Sequence, residues 1–73
     1  MDFDGIEKKI LEKLSKNLVM RKEEILEFLG EEVSNPKEIF KMVMSDLIQR
    51  GLVKYVYAGA TCYAITQKGM REI

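Results

Sequence analysis

Lys37, Lys41, Ser45 and Gln49 stand four residues apart along one stretch of this 73-residue chain. On a helix that spacing keeps all four on one outward side. Lysine ammonium groups placed this way can meet phosphates. Ser45 and Gln49 carry the donors and acceptors that read base edges. Glu38 and Asp46 share the exposed surface and would repel phosphates, so an ordinary solvated helix face is the competing reading. Met42 on the same surface suits other chemistry. It can form a protein-binding patch, since methionine adapts to irregular partners, or it can simply broaden the core stripe.

Three further groups could join these. Arg50 closes the same stretch. Lys54 suits a phosphate contact, and Tyr57 or Tyr55 suits stacking or hydrogen bonding; cross-strand packing among Tyr55, Tyr57 and Tyr63 is the alternative. Arg21 and Lys22 sit where phosphate contact and plain solvation are equally reasonable.

Catalysis finds little footing. The chain has no histidine, and Glu23-Glu24 and Glu31-Glu32 are adjacent pairs that do not face each other on a helix. There is no Gly-rich phosphate loop and no nucleophile motif, so an enzyme is not expected. Cys62 is the single cysteine, which excludes an internal disulfide and, without histidine, a zinc site. It reads as a small strand residue. No metal or cofactor is expected.

The elements that must hold these residues follow from periodicity. Phe3, Ile6, Ile10, Leu11 and Leu14 predict a helix from about Asp4 to Lys16, with Asn17 as its stop. Leu18-Val19-Met20 fits a brief extended segment able to pair with a later strand. A second helix is predicted from Lys22 to Leu29, with Gly30 in the C-cap position. Ser34 or Asn35, then Pro36, marks a helix start, and Glu38 falls near the capping-box position.

The third helix is predicted over 36–50, ending at Gly51, with Ile39, Phe40, Val43, Leu47 and Ile48 inward and Met44 at the margin. Residues 52–66 then read as two β-branched and aromatic strands joined by Ala58-Gly59-Ala60. Thr66 can cap a short last helix that Gly69 should weaken.

The fold class expected is α+β: a three-helix core, a two-stranded hairpin and a possible short C-terminal helix, in a single domain over 1–73. A chain this short buries only about 60% of its unfolded surface, so its core is thin. The hydrophobic fraction is 47% and the charged fraction 33%, a globular balance with no apolar run of membrane-spanning length. Few Asn and Gln beside many Glu and Lys leans toward a thermophile. The acidic start, Met1-Asp2-Phe3-Asp4, does not resemble a secretory signal, and a cytoplasmic setting is expected. Net charge is zero, yet residues 1–34 carry −3 and residues 35–73 carry +3.

Two stretches carry a family resemblance. Leu47-Ile48-Gln49-Arg50-Gly51-Leu52-Val53-Lys54 is similar to the Leu-x-x-x-Gly-Leu-Ile/Val ending of the third helix in winged helix-turn-helix regulators, such as the MarR-like, ArsR-like and PadR-like groups. Tyr63-Ala64-Ile65-Thr66-Gln67-Lys68-Gly69 looks like their Tyr-x-Leu-Thr-x-x-Gly ending. The resemblance implies a double-stranded DNA partner, with helix 36–50 in the major groove and hairpin 52–66 as the wing. Lys37, Lys41, Ser45, Gln49, Arg50, Lys54, Tyr57, Arg21 and Lys22 are then the candidate DNA contacts. A homodimer is expected, because one domain with this little positive charge would bind weakly alone.

The chain departs from the pattern in its long connector, Gly30 to Asn35, its short uncharged wing tip, and its lack of an effector domain or a long dimerisation helix. Zero net charge, that bare tip and Met42 support the alternative, a winged-helix protein-interaction module serving as a small accessory subunit of a replication, transcription or membrane-remodelling complex.

Overall fold

Helical and alternating patterns take turns along the chain, and the computed structural model, which describes residues 3–57 and 59–73, follows them closely. The elements are α1 (Phe3–Asn17), β1 (Val19–Arg21), α2 (Lys22–Glu32), α3 (Pro36–Gln49), β2 (Val53–Tyr57), β3 (Thr61–Ile65) and α4 (Gln67–Arg71). The architecture is α+β, with four helices and one antiparallel sheet among the described residues. None of these helices is long and apolar enough to cross a membrane.

The sheet has three strands in the order β1-β3-β2, one more than the hairpin alone. Val19, Met20 and Arg21 pair with Ala64, Tyr63 and Cys62, while Val53 through Tyr57 pair with Ile65 through Thr61. The core lies between this sheet and the helices. Ile10, Leu14, Ile25, Leu29, Val43, Leu47, Leu52 and Val53 are almost wholly buried in it.

α1 ends without glycine: Leu18 itself takes a left-handed conformation, φ 68°, and its N–H returns to the Leu14 carbonyl at 2.6 Å. The extended segment therefore begins one residue later than predicted. α2 runs past Gly30 to Glu32. Gly30 is an interior helical residue, and the capping position belongs to Val33, whose N–H bonds the Leu29 carbonyl. The extra turn lets Glu32 reach Lys9 on α1 at 3.1 Å. Asn35 does precede α3, but its side chain donates to the Glu38 carboxylate at 3.3 Å instead of capping the backbone.

Two core assignments also change. Met44 is buried at 2% exposure and Ile48 is 39% exposed, the reverse of the predicted stripe. The buried arc of α3 is rotated toward Phe40 and Met44, the side that packs against α2 and the sheet.

At the end of α3 the chain behaves as its sequence implies. Arg50 is the C-cap and Gly51 takes φ 76°, which turns the chain straight into the strand. α4 then packs onto this junction. Thr66 Oγ1 donates to the Gly51 carbonyl at 2.7 Å and accepts from the Gly69 N–H at 3.0 Å, capping α4. Gly69 is not a weak point here. It is buried, and a Cβ there would collide with the Leu52 carbonyl and the Ile65 side chain.

Candidate functional site

α3 begins beside α2, so the first turns of both helices lie next to each other. Lys22 from α2 and Lys37 and Lys41 from α3 converge on a depression of about 260 Å³ floored by Leu26 and Phe40. Lys22 Nζ sits 5.8 Å from the centre of the Phe40 ring, within range of a cation–π attraction. None of the three lysines takes part in the ion pairs formed among the described residues. Their charges therefore face solvent uncompensated by close carboxylates.

From this depression an aromatic series runs toward the hairpin. Phe40 meets Tyr63 edge-on at 5.6 Å between ring centroids, and Tyr63 meets Tyr55 edge-on at 5.8 Å. Tyr63 is buried, and burial raises its phenol above the usual range, with the charge of Tyr55 a smaller contribution. Tyr55 and Tyr57 stay exposed, at 56% and 67%. Of the three tyrosines, then, Tyr55 and Tyr63 pack across strands, and Tyr57 projects from the hairpin.

Ser45 and Gln49 are exposed along the outward side of α3, as its spacing predicts. Ile48 joins them, one turn beyond Ser45 and two beyond Lys41 on the same side. Met42 is 56% exposed on the opposite margin, where it borders a cavity shared with Asp4, Glu7 and Asp46.

The remaining candidates lie elsewhere. Strand alternation sends Met20, Tyr63 and Tyr55 to the helix side of the sheet and Arg21 and Lys54 to the other side. There Lys54 stands in a row with Ala64 and Val19, and Arg21 in a row with Cys62 and Val56. Cys62 is buried at 6% exposure, in keeping with a small strand residue. Lys54 and Arg21 thus share a face with each other and not with Lys37 and Lys41.

Arg50 is engaged within the molecule. Its Nη1 donates to Glu7 at 3.1 Å and to Asp46 at 3.3 Å, and its Nη2 lies 3.8 Å from Glu72. Its carbonyl accepts from Lys68 Nζ at 2.9 Å.

Sequence reasoning passed over Glu7, because on α1 it looks like one more surface charge between Ile6 and Lys8. Its side chain is only 7% exposed. Burial pushes its carboxyl up to about 7, helped by the hydrogen bond and charge of Asp46 and opposed by Arg50. Asp46 moves the other way, held below the usual carboxylate range mainly by its hydrogen bond from Glu7. The only sequence signal was the pairing of spacing: Glu7 lies one turn from both Ile10 and Leu11, on the buried arc of α1.

No family model, no curated protein and no solved structure matches this chain.

Proposed function

We propose that this chain is a winged helix-turn-helix domain that binds double-stranded DNA, with α3 presented to the major groove and the β2–β3 hairpin as its wing. The carrying observation is the gathering of Lys22, Lys37 and Lys41 from two helices at one edge of the exposed side of α3, free of ion pairs among the described residues. The order of elements and the glycine turn at Gly51 support the same reading. In it, the three lysines contact phosphates and Ser45 and Gln49 approach base edges. Arg50 is spent on internal carboxylates and contributes no phosphate contact. Lys54 and Arg21, behind the sheet, lie outside the α3 contact. With so few contacts per domain, a homodimer supplies the affinity, and a cytoplasmic setting suits the partner.

The test is a salt titration of binding to mixed-sequence duplex DNA, comparing wild type with the Lys37→Glu/Lys41→Glu variant. Each lost phosphate contact should lower the slope of log affinity against log salt by about 0.9. The double variant should therefore bind much more weakly and lose about two units of slope. Wild-type protein that ignores duplex DNA even at low salt rejects the proposal.

A protein-interaction module is the second reading. It is favoured by the exposure of Met42 and Ile48 on α3, at 56% and 39%. A defined partner that co-purifies with wild type and is lost on Met42→Glu, with DNA binding absent, would select it.

A further inference from the structure

Three carboxylates share one guanidinium at the C-terminal end of α3. Glu7, buried at 5% exposure, and Asp46 both accept from the same Arg50 nitrogen, at 3.1 and 3.3 Å, and Glu72 lies 3.8 Å from the other. Asp4 lines the cavities on both sides of Glu7. Two lysines are near. Lys8 lines one of those cavities, and Lys68 is committed to the Arg50 carbonyl. β1 and β3 also pack against α1 but add no residue to the lining of either cavity. Negative charge around Glu7 thus exceeds what Arg50 can balance.

Asp46 links this cluster to the surface, because its side chain is 48% exposed and it lies one turn before Gln49, on the Met42 margin of α3. While Glu7 holds a proton, Arg50 is left to compensate Asp46. Once Glu7 ionises, Arg50 must serve both, and the charge of Asp46 faces an approaching phosphate less well compensated.

We propose that Glu7 is a proton-gated charge set beneath α3, which weakens the hold of this face on duplex DNA when it ionises. This inference rests on the DNA-binding reading above. The elevated carboxyl of Glu7, about 7, places the transition in the neutral range. The chain has no histidine to produce the same dependence.

The experiment measures affinity for a labelled mixed-sequence duplex at pH 6 and pH 8, at one fixed low ionic strength. Wild type, Glu7→Gln and Asp46→Asn are compared, with far-UV circular dichroism confirming that each is folded. Wild type should bind about two- to fivefold more weakly at pH 8, the scale of one added charge at roughly 10 Å in a screened medium. Glu7→Gln keeps the hydrogen-bonding shape without the charge and should bind equally at both values. Asp46→Asn removes the main carboxylate neighbour of Glu7, so its dependence should move to lower pH and shrink across this interval. A Glu7→Gln protein that keeps the wild-type dependence, or a wild type with none, overturns the inference while leaving DNA binding intact. Absence of duplex binding at pH 6 instead defeats the DNA reading itself, and the gating with it.

Discussion

The same chemical change, Gly→Ala, should have opposite effects at Gly30 and Gly69. Gly30 lies inside α2 at an ordinary helical φ, and an added Cβ would have nothing within 4 Å. Alanine there removes the entropic penalty of a helical glycine, and the domain should gain about 0.5–1 kcal/mol. At Gly69 the added carbon runs into the Leu52 carbonyl, which is backbone and cannot swing aside, and into Ile65. α4 must then lift from the Gly51–Leu52 junction. The move strains the bond from Thr66 N–H to the Leu52 carbonyl, 3.0 Å, and the Thr66 cap on Gly69. Overpacking of this kind costs about 1–3 kcal/mol, and a lost cap about 1 more.

The expected loss is therefore about 2–4 kcal/mol, a large part of the roughly 4–11 kcal/mol available to a domain of this length. Urea unfolding followed by far-UV circular dichroism measures both changes at a common m-value. Helix propensity with a glycine cap at residue 30 gives the reverse signs. A Gly69→Ala protein as stable as wild type would refute the packing argument for α4.

Three further outcomes follow from other positions. Leu18→Gly should raise stability by up to about 1 kcal/mol, because a mostly exposed leucine now holds a left-handed conformation, φ 68°, that glycine adopts without strain; thermal unfolding reads the change. Met44→Ala should cost about 2–4 kcal/mol and Ile48→Ala under about 1 kcal/mol, a difference in urea midpoint that reports which residue α3 buries. The domain should also lose stability as pH rises from about 4.5 to about 7, since the folded Glu7 holds its proton more tightly than the unfolded chain does. The loss is at most about 3 kcal/mol. Unfolding free energies between pH 5 and 8 should fall for wild type and stay level for Glu7→Gln. Asp46, shifted the opposite way, contributes stability only above its unfolded range, so that contribution is already complete across this interval.

Much of the fold was legible because local signals agreed with one another. Asn35-Pro36 opens α3, Gly51 closes it, and Thr66 caps α4, each through backbone geometry that few other residues supply. What failed was information carried by neighbours distant in sequence. Gly30 looks like a stop until the contact between Glu32 and Lys9 gives the helix a reason to continue. Gly69 looks like a defect until the Leu52 carbonyl is seen beneath it. Met44 and Ile48 are both apolar and border the same stripe, so only the docking angle of α3 decides between them.

The candidate site was legible in parts. Lys37, Lys41, Ser45 and Gln49 follow from helical spacing alone, and they are exposed together. Lys22 reaches them only through the α2–α3 packing. Lys54 could not be placed without the strand register, which turns it behind the sheet. Arg50 could not be set aside without knowing that Glu7, forty-three residues earlier, would be folded against it.

The strand at the centre of the sheet, β3, is also the last of the three to leave a ribosome. Until residues 61–65 emerge, β1 and β2 each lack a hydrogen-bonding partner, although all of α1, α2 and α3 has already been synthesised. Nascent chains halted before that point should hold helical segments without a ladder to order them. Closure of the sheet is then a late, long-range event, with β1 waiting more than forty residues for its mate. A domain wired this way ties its strands to a single step that follows synthesis of its three long helices, and products cut short of it should be ready substrates for proteolysis.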